Sequence, residues 1–161
     1  MLLSLFGGIG PRWRRGFGSV QATKLELKSD ELENLSKEIN EKIKNLKGKN
    51  NKPDDFMSIS NTKIYLIIKK NKSQNWNSWS DAMDDLRDDF YRKLKQKLKI
   101  DKIAYNPSYG DREVSPLIIQ IKRVKSNYFG IILVWESWNK FNDFEQFISE
   151  LQNYEVKELQ I

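Results

Sequence analysis

The chain has 161 residues, 39% of them hydrophobic and 31% charged, a mix that supports one packed domain with some extra elements and excludes a disordered tail protein. It contains neither cysteine nor histidine, which removes disulfides, thiolate chemistry, imidazole bases and the usual zinc ligand sets. The formal net charge of +6 favours a polyanion partner such as nucleic acid, but a bias toward Lys, Asn and Ile produces the same excess without one, so position has to decide.

The N-terminal segment MLLSLFGGIGPRWRR does not read as a targeting signal. Its apolar run at residues 2–6 is too short for a secretory core and has no basic residue before it, and Arg14-Arg15 follow that run, the wrong order for a twin-arginine signal. No stretch approaches the ~20 apolar residues needed to cross a bilayer. The expected location is the cytoplasm, with no membrane partner.

Five of the 8 glycines fall between Gly7 and Gly18, around Pro11, Arg12, Trp13, Arg14 and Arg15. That density excludes a helix or regular strand and predicts a structured loop. Residues 19–27 alternate, with Val20, Ala22, Leu25 and Leu27 as inward candidates, and predict a strand whose phase slips near Thr23-Lys24. Ser29 is a suitable helix cap, with Asp30, Glu31 and Glu33 in the first turn. Leu32, Leu35, Ile39, Ile43 and Leu46 share one helical face, and Gly48 ends it. Residues 49–60 are polar and carry Pro53, as expected of a linker or exposed loop.

Thr62 to Lys70 holds the buried-type strand Ile64-Tyr65-Leu66-Ile67-Ile68. Trp79, Met83, Leu86, Phe90, Leu94 and Leu98 mark a long amphipathic helix capped by Ser78 or Ser80. Residues 100–113 read as irregular. Residues 116–124 and 128–136 form two strands about Ser126-Asn127, a hairpin. Asn142 or Asp143 is the expected cap of a helix carrying Phe144, Phe147, Ile148 and Leu151, and residues 154–161 are the expected last strand. From residue 62 the order is strand, helix, strand, strand, helix, strand, an α+β, ferredoxin-like (RRM-like) βαββαβ arrangement that unrelated functions share.

The strongest chemical signal is FGGIGPRWRRGFGSV at residues 6–20. Glycines let backbone N–H groups approach an anion. Arg12, Arg14 and Arg15 add forked donors matched to phosphate oxygens. Trp13 and Phe17 can stack on an unpaired base. The segment lacks the Gly-Lys-Ser/Thr ending of a nucleotide-hydrolase loop, and its spacing does not fit a dinucleotide fingerprint. The competing reading is a glycine-rich turn with solvated arginines.

This stretch resembles the glycine-rich loop of RAMP proteins and, more narrowly, the GGxGxxxRRGFGS signature of the first RAMP subunit of the Cmr (type III-B CRISPR) effector complex. A second stretch, Arg112-Glu113-Val114-Ser115-Pro116-Leu117-Ile118-Ile119, is similar to the Arg-x-x-Ser-Pro segment that opens a strand in that subunit. The resemblance implies paired ferredoxin-like domains. Residues 1–60 would be the end of a first RAMP domain plus linker, and residues 61–161 a ferredoxin-like domain. It also implies a non-catalytic role in antiviral defence, binding CRISPR RNA and target RNA beside other Cmr subunits. The implied RNA-binding residues are Gly7, Gly8, Gly10, Arg12, Trp13, Arg14, Arg15, Gly16, Phe17, Gly18 and Arg112, with no catalytic residue, metal or cofactor. A full subunit would carry most of a domain before the loop, so the expectation is a C-terminal piece completed by another chain.

Two rivals stand beside this reading: a metal-independent CRISPR-RNA endoribonuclease of RAMP type, relying on Tyr or Lys for proton transfer, and a protein-docking fragment without RNA contact. Lys63, Lys69, Lys70, Lys72, Lys122, Arg123 and Lys125 either extend a phosphate track or are edge-strand lysines that block aggregation, the second being favoured. Asp81, Asp84, Asp85, Asp88 and Asp89 read as a solvated helix face rather than a magnesium site. Trp76, Trp79, Trp135 and Trp138 read as core, hairpin-end packing or a partner surface.

Overall fold

The computed structural model of the chain describes residues 31–43, 61–70, 76–100 and 115–160. The predicted strand at residues 19–27, the glycine-rich segment and the irregular stretch at 101–113 lie outside them. The first described element is helix α1 (Leu32–Ile43). Strand β1 (Thr62–Lys69) follows. Helix α2 occupies residues 79–98 in three stretches, α-helical Trp79–Asp84, π-helical Asp85–Tyr91 and α-helical Arg92–Leu98. Strands β2 (Leu117–Val124) and β3 (Asn127–Trp135), helix α3 (Phe141–Ser149) and strand β4 (Tyr154–Leu159) complete the order.

The strands form one sheet in the order β2-β3-β1-β4, and every neighbouring pair is antiparallel. The protein is therefore an α+β molecule with a four-stranded antiparallel sheet, an arrangement compatible with the ferredoxin-like fold. Period-two alternation separates the two faces of the sheet. Tyr65, Ile67, Ile119, Ile121, Ile132 and Val134 pack with Leu86, Phe90 and Leu94 of α2 and Phe144 and Phe147 of α3. Ile64, Leu66, Phe129, Ile131, Leu133 and Leu159 pack on the opposite face with Leu32, Leu35 and Ile39 of α1. Helix α1 thus shares a core with the strands after residue 61, and Lys157 Nζ on β4 reaches Glu33 Oε2 at 2.8 Å.

The π-helical stretch explains how α2 keeps one apolar face. Leu86, Phe90, Leu94 and Leu98 are separated by four residues each, and four residues of α-helix overshoot a turn by about 40°. Repeated three times, that drift would carry the stripe off the sheet. A wider π turn takes up the excess, and all four side chains are buried. The start of α2 is held by a capping box: Asp81 N–H donates to Ser78 Oγ at 3.0 Å, and Ser78 N–H donates to Asp81 Oδ2 at 3.1 Å. Helix α3 departs from expectation. It begins at Phe141 with Lys140 at the cap and no side-chain cap bond, because the turn after β3 already directs the chain inward through Trp138 N–H to Trp135 O and Phe141 N–H to Trp138 O.

Where β3 crosses beneath α2, a Cβ on Gly130 would stand 2.6 Å from Ile67 Cγ2 and 3.1 Å from Leu86 Cδ1, so a larger residue there would push against both layers.

The β2–β3 hairpin pairs Val124 with Asn127 and leaves a two-residue loop, Lys125-Ser126. Lys125 has φ of 52°, a left-handed conformation that costs an L-residue roughly 1–2 kcal/mol and glycine little. The expected result for Lys125→Gly is a gain of about 0.5–1 kcal/mol, the relief of ~1–2 kcal/mol of left-handed strain less the ~0.5–1 kcal/mol of extra unfolded-chain freedom that glycine brings, read as a higher urea midpoint at unchanged slope. A lower midpoint would show that the side chain contributes more than its backbone conformation costs.

Candidate nucleic-acid interface

The residues expected to contact RNA, Gly7, Gly8, Gly10, Arg12, Trp13, Arg14, Arg15, Gly16, Phe17, Gly18 and Arg112, lie outside the described residues. Phe129, the one aromatic of β3 on the α1 side to belong to that core, is 1% exposed, so its ring is not available for stacking.

The lysines of the strands do not form an open track. Lys63 Nζ lies 2.6 Å from Glu145 Oε1 and 3.6 Å from Glu158 Oε1. Lys69 Nζ lies 2.5 Å from Asp85 Oδ2. Lys122 is 2% exposed, among the buried residues of β2, and burial pushes its ammonium down to about 8. Arg123 Nε donates to Lys125 O at 2.8 Å and its guanidinium stands 6.0 Å from the Tyr128 ring centroid. Lys70 is exposed, and Lys72 lies outside the described residues. The edge-strand reading fails for Lys63 and Lys69: β1 lies between β3 and β4, and both lysines are tied into ion pairs.

The aspartates of α2 divide into two groups. Asp81 completes the cap, and Asp84 and Asp88 pair with Arg87 at 3.1 and 2.7 Å on the exposed side. Asp85 and Asp89 turn toward the sheet, where the solvated-face reading fails. Asp85 Oδ2 accepts from Trp76 Nε1 at 2.6 Å as well as pairing with Lys69. Asp89 Oδ2 accepts from Tyr154 Oη at 2.9 Å, and Asp89 Oδ1 stands 2.6 Å from Lys93 Nζ. Burial raises the Asp89 carboxyl, but the bonds from Lys93 and Tyr154 outweigh it and hold the group below its ordinary value. The four-residue spacing of Asp85 and Asp89 matches that of the buried stripe, and this is the signal in the sequence that couples them to the π turn. Among the described residues no three acidic side chains gather as a cation site.

Of the described tryptophans, Trp76, Trp135 and Trp138 are buried and Trp79 is exposed. Two tyrosines also point inward. Burial raises the phenols of Tyr65 and Tyr154, each of which also donates to a carboxylate, Glu145 and Asp89 respectively. Neither is poised to take a proton near neutral pH.

One basic surface differs from the rest. At the end of α2, Arg92, Lys95, Gln96 and Lys99 line an open concavity of about 310 Å³ with Ile100. Arg92 and Lys99 are exposed and Lys95 half-buried. The neighbouring Lys93 and Lys97 are ion-paired with Asp89 and Glu150, whereas among the described residues no acid pairs with Lys95 or Lys99. No described helix is long and apolar enough to cross a membrane. No protein-family model, curated protein or solved structure matches this chain.

Proposed function

We propose that this chain is an RNA-binding, non-catalytic RAMP protein, the first RAMP subunit or a C-terminal piece of it, of a type III-B CRISPR Cmr effector complex acting in the cytoplasm. The observation that carries the reading is the segment at residues 6–20, with five glycines and three arginines in the order GGIGPRWRRGFG. The glycine backbone supplies N–H donors at close range, the guanidinium groups neutralise phosphates, and Trp13 or Phe17 stacks on a base. The strand–helix–strand–strand–helix–strand order and the β2-β3-β1-β4 sheet support the ferredoxin-like domain that such a subunit requires. The chain's partners in this reading are CRISPR RNA, target RNA and other Cmr subunits.

Replacing Arg12, Arg14 and Arg15 together by Ala is expected to weaken binding of a labelled single-stranded RNA on the order of a hundredfold and to flatten its salt dependence. A filter-binding titration checks this, and unchanged affinity refutes the role of the loop.

A further inference from the structure

We infer that the C-terminal end of α2 and the residue that caps it form a second contact for RNA backbone, with Arg92, Lys95 and Lys99 bonding phosphates; this rests on the proposal that the protein binds RNA at all. The argument starts from how this protein uses its cations. Lys63, Lys69, Lys93, Lys97, Lys140 and Lys157 each have an acid within ion-pair distance. Lys95 and Lys99 do not among the described residues, and they share one concave surface with Arg92 and Gln96. Arg92 keeps only a 3.5 Å contact with Asp88, and both side chains are largely exposed, so water and salt weaken that pair and leave the guanidinium free to exchange partners.

The helix dipole accounts for part of this charge but not all of it. Cations are favoured in the last turn of a helix, and the effect fades beyond that turn. Arg92 opens the final α-helical stretch, which ends at Leu98, and so stands almost two turns from the negative end. Arg92 and Lys95 share one helical face, and Lys99, the left-handed cap that follows Leu98, lines the same concavity. The result is a row of donors, with the Gln96 amide beside it.

The chemistry of that row selects the occupant. A protein partner needs a charge-depleted centre to bury, whereas this concavity places three cations and an amide around Ile100, with the aliphatic stems of those long side chains supplying the rest of its apolar lining. A ribose-phosphate strand needs repeated positive charge and hydrogen-bond donors, which the three cations and the Gln96 amide supply. Charge complementarity therefore favours RNA over an acidic protein segment.

The test uses the full chain, a fluorescein-labelled single-stranded RNA and anisotropy titrations at several salt concentrations. Lys95→Gln with Lys99→Gln is expected to raise Kd on the order of tenfold and to lower the log–log salt slope by about 1.4. Lys157→Gln, which removes an ion-paired lysine, serves as the control and should leave both unchanged. If the Lys95/Lys99 variant matches wild type while the Arg12/Arg14/Arg15 variant loses binding, the α2 contact is overturned and the loop reading stands. If the reverse holds, the loop reading falls and the α2 contact stands. A wild-type chain that does not bind RNA overturns both. Displacement of the RNA by poly-glutamate at equal charge concentration would also overturn the inference and assign the surface to an acidic protein.

Discussion

Phe90→Ala is expected to cost about 3–5 kcal/mol of folding stability, the range for removing a fully buried aromatic side chain. Phe90 has no exposed surface. It sits within the π-helical stretch of α2 and meets the Phe147 ring edge-on, with centroids 5.4 Å apart. Its truncation removes apolar burial, leaves a cavity between α2, α3 and the sheet, and deletes an edge-to-face ring contact of roughly 1 kcal/mol. Domains are typically stable by only about 5–15 kcal/mol, so the loss is a large share of the total. The urea midpoint should fall at unchanged slope. Phe90→Leu, which refills most of the volume, should recover more than half of the loss. A loss below about 1 kcal/mol for the alanine variant would mean that the cavity collapses freely, which requires α2 not to be held in place by its π turn.

The same helix shows where sequence reasoning holds and where it stops. The apolar stripe and the Ser78 cap are readable because both are local: one depends on spacing, the other on a serine three residues before an acid. The π turn is not readable from an α-helical template. Its trace is the run of four-residue steps from Leu86 to Leu98, a stripe that an ordinary helix would gradually rotate away. An α-helical template places Asp85 and Asp89 toward solvent, whereas both bond to groups on the sheet side.

Helix α1 raises a different problem. Its amphipathic pattern states that Leu32, Leu35 and Ile39 need an apolar partner but not which one, since burial is non-directional. The structure supplies the face of the sheet opposite α2 and α3. The strands themselves are legible from alternation and composition. The start of α3 is not, because a turn anchored by Trp135 and Trp138 carbonyls does the work assigned to an Asn142 or Asp143 cap. For the candidate site, the glycine–arginine segment is legible as residues and as a resemblance. The α2 surface was present in the sequence as basic residues, but only three-dimensional pairing separates Lys95 and Lys99 from Lys93 and Lys97.

Lys122 is the residue whose neighbours in sequence mislead most. It stands between Ile121 and Arg123 near a turn, where an exposed lysine is ordinary, yet it is buried with Gln120 on β2. Burial strips water from the ammonium and lowers its pKa to about 8, against roughly 10.4 in an unfolded chain. Between these two values the unfolded state binds more protons than the folded state, so stability rises with pH across that window and is flat below it. The full amplitude is bounded at about 3 kcal/mol.

Tyr65 and Tyr154 act in the opposite sense. Their folded pKa values are raised, so their contribution is complete below about pH 10 and lost above it. Lys63, also raised, adds to that loss at still higher pH. Urea unfolding measured from neutral to alkaline pH should therefore trace a dome, climbing from about pH 8 and descending past about pH 10. Lys122→Met keeps the length of the side chain and removes the charge. It should be more stable than wild type at neutral pH and should lose the rising limb while keeping the descending one. If both proteins climb equally between about pH 8 and 10, the rise belongs to another group and the ammonium of Lys122 is not desolvated by the fold.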